Sequence, residues 1–165
     1  MAHNLAQVNA MSVDAFTINF ADIAEHSPWV ATAAATARPF ASKQAMIDGF
    51  CHALNQADRP AQLALIIAHP DLAGKAKLTA DSHSEQSGAG LDSLTTDELT
   101  RFTALNASYK AKFKFPFIFA VKGADKHQIL AGFEQRINNN PQQEFATALE
   151  NICRIFMFRI EDQVQ

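Results

Sequence analysis

The sequence predicts an all-α fold: a single compact multi-helix domain with one buried extended segment near Phe115–Val121. Three observations predict it. There are 13 Phe but only 1 Tyr and 1 Trp, and alanine is abundant while valine and isoleucine are modest, a balance that favours helices over sheets. Apolar residues recur at three- and four-residue spacing behind residues that cap helices well. Only one run, FKFPFIFAV at 113–121, is strand-like, and no second run stands out to pair with it.

The elements follow in order. Residues 1–11 carry no strong pattern and are expected to be loosely ordered. A short first helix starts near Ser12 or Asp14. A second is expected around Phe20–His26, stopping before Ser27-Pro28. A third, Trp29–Ala37, is alanine-rich and ends at Arg38-Pro39. Ser42 is a good N-cap for Lys43–Asn55, with apolar residues at Ala45, Met46, Phe50, Ala53 and Leu54. Asp58-Arg59-Pro60 makes a turn, and Pro60 suits the first turn of a helix reaching Ala68. Residues 69–90 show no long periodicity; a short helix or two is expected, with a helix start near Ser82. Thr95 and Glu98 read as a capping box for a long helix carrying Leu99, Phe102, Leu105, Tyr109 and Phe113. Phe115 precedes Pro116 and is therefore extended, and Gly123 ends that run. Helical spacing resumes over His127–Asn138, breaks at Asn138-Asn139-Asn140, and starts again at Pro141 for a last helix to about Asp162.

Composition narrows the functional classes. At 165 residues the chain suits one domain, 1–165, and its 48% hydrophobic and 19% charged content is globular, not disordered. Net charge is −3, and no Lys/Arg block could track a phosphate backbone, so no nucleic-acid partner is expected. No apolar run approaches a membrane span, and no secretory signal is visible. Cys51 and Cys153 read as reduced core thiols, which fits a cytoplasmic protein. Neither has an activating neighbour in sequence. Gly88-Ala89-Gly90 follows no strand and is no phosphate loop.

Four places could carry chemistry. LALIIAHPDLAG, residues 63–74, ends an apolar run on His69-Pro70. Proline disfavours the α conformation in the preceding residue, so His69 sits at a helix C-terminus. The helix dipole there favours imidazolium, while burial against Leu65 and Ile66 favours the neutral ring. A histidine between such pulls can exchange a proton near neutral pH; alternatively it merely bonds a carbonyl. In a helix, Ser82, Glu85 and Gln86 put a hydroxyl, a carboxylate and an amide on one face. They could hold a small polar ligand, or Ser82 and Glu85 could form a capping box. Arg159 falls roughly 20° beyond Ile152 on the last helix, at the edge of the stripe Phe145, Leu149, Ile152, Phe156 and Ile160. It is placed to face inward, toward a ligand anion or a structural carboxylate. Last, an irregular backbone at Phe115–Ile118 can offer N–H and C=O groups to a partner. A metal reading would use His69, Asp71 and His83, but no His-Glu-x-x-His or Cys-x-x-Cys pattern supports it. An all-α interaction module using 69–90 as its surface is a rival from another class.

Six pieces in order complete the picture: SPWV, RPF, HPDLA, Ser82-x-x-Glu85-Gln86-x-x-Ala89-Gly90-Leu91, NASYKAKFKFPFIFAV and ICRIFMFRI. Together, from about Phe16 to Ile160, they resemble the 2-oxo-4-hydroxy-4-carboxy-5-ureidoimidazoline (OHCU) decarboxylase family of urate degradation. The resemblance implies an all-α carboxy-lyase with no cofactor and no metal. It implies a homodimer acting on a small-molecule substrate and releasing (S)-allantoin, with a functional link to 5-hydroxyisourate hydrolase. It places the catalytic histidine on His69 and a catalytic glutamate on Glu85. It places substrate binding on Pro70, Ser82, His83, Ser84, Gln86, the backbone of Phe117, Ile118, Phe119, Ala120 and Val121, and Arg159. One departure is visible: the family often reads Lys-Phe-Gly-Phe-Pro-Phe, and Lys114 stands in place of that glycine. If the glycine serves a positive φ, the approach to Phe115 is affected.

Overall fold

The computed structural model describes residues 2–74 and 78–165. Residues 75–77, and with them part of the helix expected within 69–90, lie outside the described residues. The described residues form helices α1 (Leu5–Ala10), α2 (Val13–Phe20), α3 (Trp29–Ala35), α4 (Lys43–Gln56), α5 (Arg59–Ala68), α6 (Ala80–Gly88), α7 (Thr96–Phe113), α8 (Lys126–Arg136) and α9 (Pro141–Gln163). The expected all-α class is what the chain adopts. Its packing falls into two units, one of residues up to Ala68 with Ile152–Gln165, the other His69–Asn151.

In the first unit, three helices start where the sequence places them. The side chain of Ser12 accepts from the Ala15 amide, Ser42 from Ala45, and Asp58 from Ala61 at 2.8 Å. Two expectations are corrected. The N-terminus is held: Asn4 and Gln7 form a capping box for α1, Val8 is fully buried, and His3 pairs with Val164. Asn9 also clamps Phe40 from both sides, donating to its carbonyl at 2.9 Å and accepting from its amide at 2.8 Å. The helix expected at Phe20–His26 is only a 3-10 turn, Ala21–Ile23, because Ala24 is extended at φ −104° and ψ 124°, outside the helical range. The core is phenylalanine-rich, with Phe16 against Phe20 at 4.9 Å and Phe50 edge-on to Phe156 at 6.1 Å.

Cys51 and Cys153, distant in sequence, are neighbours here, with Cys51 Sγ 3.9 Å from the Cys153 carbonyl. Neither forms a disulfide. The hydrogen bond to Cys153 and burial push the Cys51 thiol far above its usual range, so it is no ready nucleophile.

The second unit is organised around Tyr109. It is fully buried and touches Phe113, Phe115, Phe117 and Phe133. Phe117 stacks on Phe133 at 3.9 Å with 6° between the rings. The Thr95–Glu98 capping box forms as expected and opens α7, but Leu99 stays 42% exposed instead of entering the core. Between α7 and α8 the chain runs as the expected buried extended segment.

Lys114 opens that segment at φ 65° and ψ 21°, donating its amide to the Lys110 carbonyl at 2.9 Å. The turn a glycine would make is therefore kept, by a residue whose Cβ opposes it. A left-handed residue with a Cβ costs roughly 1 kcal/mol more than glycine. Lys114→Gly is expected to raise unfolding stability by about 1 kcal/mol, read as a higher urea midpoint at unchanged slope. An unchanged or lower midpoint would mean that the lysine makes compensating contacts.

Candidate active site

Helix α5 delivers His69. Leu65 and Ile66 are fully buried and anchor the helix, while Ile67 is 54% exposed. Pro70 then forbids another helical turn. His69 follows directly and is only 9% exposed, with its ring Nε2 buried. Pro70 beside it is half-buried.

The stretch after Pro70 is held at three successive residues. Lys110 grips the Asp71 carboxylate at 2.6 Å. Asn106 donates its amide to the Leu72 carbonyl at 2.9 Å. Ala73, at a left-handed φ of 56°, donates its N–H to Gln86 Oε1 at 3.0 Å. Gln86 is thus partly structural: its Oε1 is committed to the Ala73 amide.

Helix α6 starts earlier than the sequence suggested. Thr79 is its N-cap, accepting from the Ser82 amide at 3.2 Å. Ser82 is therefore a helical residue and not the cap, which removes the capping-box reading of Ser82 and Glu85. Ser82 and Gln86 are 5% and 7% exposed, Glu85 is half-buried, and His83 and Ser84 are exposed. The expected polar face exists and its centre points inward. Gln86 and His83 share the lining of a recess of about 130 Å³ with Ala73 and Leu78.

Phe117, Ile118, Ala120 and Val121 are buried, and Phe119 is partly exposed. Three backbone groups of this segment are already engaged. The Ile118 carbonyl accepts from Arg136 Nη1 at 2.6 Å, the Ala120 amide donates to Asn151 Oδ1 at 3.1 Å, and the Val121 carbonyl accepts from the Ala124 amide at 3.0 Å. Gly132 on α8 makes room for Phe119; a Cβ there would sit 2.9 Å from the ring.

Arg159, in the first unit, faces inward as expected and is 3% exposed. Its Nη1 lies 3.0 Å from Glu25 Oε2 and donates to the Asp22 carbonyl at 3.0 Å. A structural carboxylate therefore does hold it. Among the described residues no three His, Cys, Asp or Glu side chains gather as a metal-ligand set, and none of their helices is long and apolar enough to cross a membrane.

The sequence reading missed a buried network. Glu144, fully buried, accepts from Tyr109 Oη at 2.6 Å, from Arg136 Nε at 2.9 Å and from Asn139 Nδ2 at 3.2 Å. Burial and the Glu144 carboxylate push the Tyr109 phenol far up, so it stays a donor. A signal was available, since Arg136 stands three residues past Phe133 and seven past Ile129, on the apolar stripe of α8.

A helical fold that keeps a histidine and an amide inward at a clamped turn, with the Ser82 hydroxyl buried on α6, carries the groups of a small all-α enzyme. The chain belongs to the OHCU decarboxylase family, whose model matches residues 9–161. It is 39% identical to the OHCU decarboxylase of Haloferax volcanii over 96% of this chain and 95% of that protein. It is 40% identical to the uric acid degradation bifunctional protein of a Bacillus species over 96% of this chain, and there it spans 32% of the relative's length. A solved (S)-allantoin synthase superposes with a TM-score of 0.81 at 28% identity, covering 98% of this chain and 54% of that one. An OHCU decarboxylase solved in the presence of (S)-allantoin shares the fold, with a TM-score of 0.72 at 24% identity over 87% of this chain and 96% of that one.

Proposed function

We propose that the chain removes CO2 from OHCU and delivers (S)-allantoin, with His69 moving the protons. The observation that carries this reading is His69 itself: an imidazole nearly buried at a helix end, next to a proline and a turn clamped by Lys110, Asn106 and Gln86. Such a group is held still enough for directed proton transfer. The family membership and the names of the relatives supply the substrate.

The chemistry needs no electron sink from the protein. In OHCU the carbon that carries the carboxylate and a hydroxyl adjoins a C=N bond. As the C–CO2 bond breaks, its electron pair moves into the C=N unit, and the nitrogen takes a proton. The enol that results returns its hydroxyl proton as the adjacent carbon is protonated. Overall, CO2 leaves and one proton is taken up. His69 accepts the hydroxyl proton and donates to carbon. Glu85 orients the imidazole or the substrate amides. Ser82 and the Nε2 of Gln86 hold the ring so that one face receives the proton. Pro70 shapes the wall beside His69, and His83 and Ser84 close the outer side of the α6 face.

The backbone groups of Phe117–Val121 that no described residue engages supply the donor–acceptor pairs that a ureido group matches. The family resemblance further implies a cytoplasmic homodimer linked functionally to the hydrolase that opens 5-hydroxyisourate; sedimentation equilibrium tests the dimer. To test the activity, OHCU is generated in situ, the protein is added, and allantoin is followed by circular dichroism. A one-handed signal that appears with CO2 release is expected. Racemic allantoin at the spontaneous rate would overturn the assignment.

A further inference from the structure

We infer that Arg136 and Asn151 are positioning residues for the substrate-binding backbone at Phe117–Val121, so that the Ile118–Ala120 edge of that segment is fixed by the protein and the Phe119 groups on the opposite edge are offered to the ligand. This rests on the function proposed above. Among the described residues the segment is neither helix nor strand, yet it is almost entirely buried. Buried N–H and C=O groups must be satisfied, and here two side chains do it. Arg136 donates to the Ile118 carbonyl at 2.6 Å, and Asn151 accepts from the Ala120 amide at 3.1 Å. In extended backbone the N–H and C=O of one residue point to the same side, and alternate residues point to the same edge. Ile118 and Ala120 therefore share an edge, which Arg136 and Asn151 occupy. By the same alternation the N–H and C=O of Phe119, between them, belong to the other edge, where the Val121 carbonyl already accepts from the Ala124 amide.

Both anchors are themselves fixed. Asn151 Nδ2 donates to the Thr147 carbonyl at 2.9 Å, which sets the amide so that Oδ1 faces Ala120. Arg136 Nε is held by Glu144 at 2.9 Å, and its guanidinium carbon lies 4.4 Å from the centre of the Phe117 ring. Glu144 is in turn fixed by Tyr109 and Asn139. Arg136 Nη2 is buried and has no hydrogen-bond partner among the described residues. A guanidinium kept in the core with one nitrogen unsatisfied is a poor way to fill space, because well-packed apolar residues can often replace a buried ion pair at little cost. What an apolar pair cannot do is hold the Ile118 carbonyl. Gly132 adds the matching constraint on the side chain, since only a residue without Cβ lets Phe119 lie that close to α8.

The test uses the full-length protein and three variants: Arg136→Met with Glu144→Leu, which keeps the core apolar and paired; Asn151→Leu, which removes the second anchor alone; and Arg136→Lys. Thermal melting, kcat, KM and the handedness of the allantoin formed are read for each. Folded double variant and Asn151→Leu are both expected to raise KM at least tenfold and to lower the enantiomeric excess, with kcat changing less than KM. Arg136→Lys should recover part of the KM effect, because its single ammonium can still reach the Ile118 carbonyl. A merely structural role would lower the folded fraction, and with it the apparent kcat, at unchanged KM and handedness. Wild-type KM and handedness in a folded double variant would overturn the inference. If the double variant does not fold, Asn151→Leu decides in the same way. A wild-type protein that gives no one-handed allantoin would instead overturn the function on which the inference rests, and the inference with it.

Discussion

His69→Asn is expected to lower kcat by about 10²–10⁴, the range general acid–base help supplies, while the protein melts close to the wild-type temperature. Asparagine is smaller than histidine, polar, and able to hydrogen-bond at the same place, so the end of α5 and the clamps on Asp71, Leu72 and Ala73 stay as they are. What asparagine cannot do is carry a proton. The effect therefore belongs in kcat and not in KM, because a group that acts only as bonds break and form contributes to the transition state and not to substrate binding. The measurement is the initial rate of the circular-dichroism signal of allantoin, with a thermal melt as the folding control. A folded variant forming chiral allantoin at the wild-type rate would remove His69 from the mechanism. A folded variant still forming racemic allantoin only at the spontaneous rate is the expected limit.

Why was His69 legible, when much of its surroundings was not? Local rules suffice for it: an apolar run predicts a buried helix, and Pro70 predicts where that helix stops. Local rules also found the caps Ser42 and Thr95, the helix start near Ser12 and the turn at Asp58, because each of these side chains bonds an amide three residues on. They failed where the decision is not local. Ser82 reads as a cap, yet Thr79 caps α6 three residues earlier and Ser82 becomes a helical residue. Leu99 has the right spacing for the core, yet it lies in the first turn of α7 and stays exposed. The anchors of the Phe117–Val121 segment come from Arg136 and Asn151, whose partners depend on how α8 and α9 pack. Arg136 nonetheless obeyed the stripe rule that flagged Arg159: a charged residue in register with Ile129 and Phe133 has to face inward, and it needs a carboxylate there. Applied evenly, that rule would have found Arg136. It would not have named Glu144, which sits across the turn between α8 and α9, or Glu25, which lies in a turn far from Arg159 in sequence, because neither pairing follows helical spacing.

Arg159→Ala is expected to lower unfolding stability by about 3–5 kcal/mol, the usual cost of removing one partner from a buried ion pair. For a chain of this size that is a drop in melting temperature on the order of 10 °C, a large part of an ordinary stability of about 5–15 kcal/mol. The cause is Glu25, whose side chain is 1% exposed and would keep its charge in the core without the guanidinium now 3.0 Å away. The loss alone does not separate a structural role from the substrate contact that the family resemblance implies, since both are removed together. Arg159→Met with Glu25→Leu does separate them. Replacing both charges by apolar groups of similar volume removes the uncompensated carboxylate, and most of the lost stability is expected to return. The Asp22 carbonyl, which also accepts from Arg159, would still lack its donor, so recovery should fall short of complete by about 1 kcal/mol. If Arg159 also holds substrate, the stabilised double variant keeps a KM raised at least tenfold, because no methionine supplies a cation to an anionic or carbonyl-rich ligand. A double variant with restored melting temperature and wild-type KM would reduce Arg159 to a strut between α9 and the Ala21–Ile23 turn.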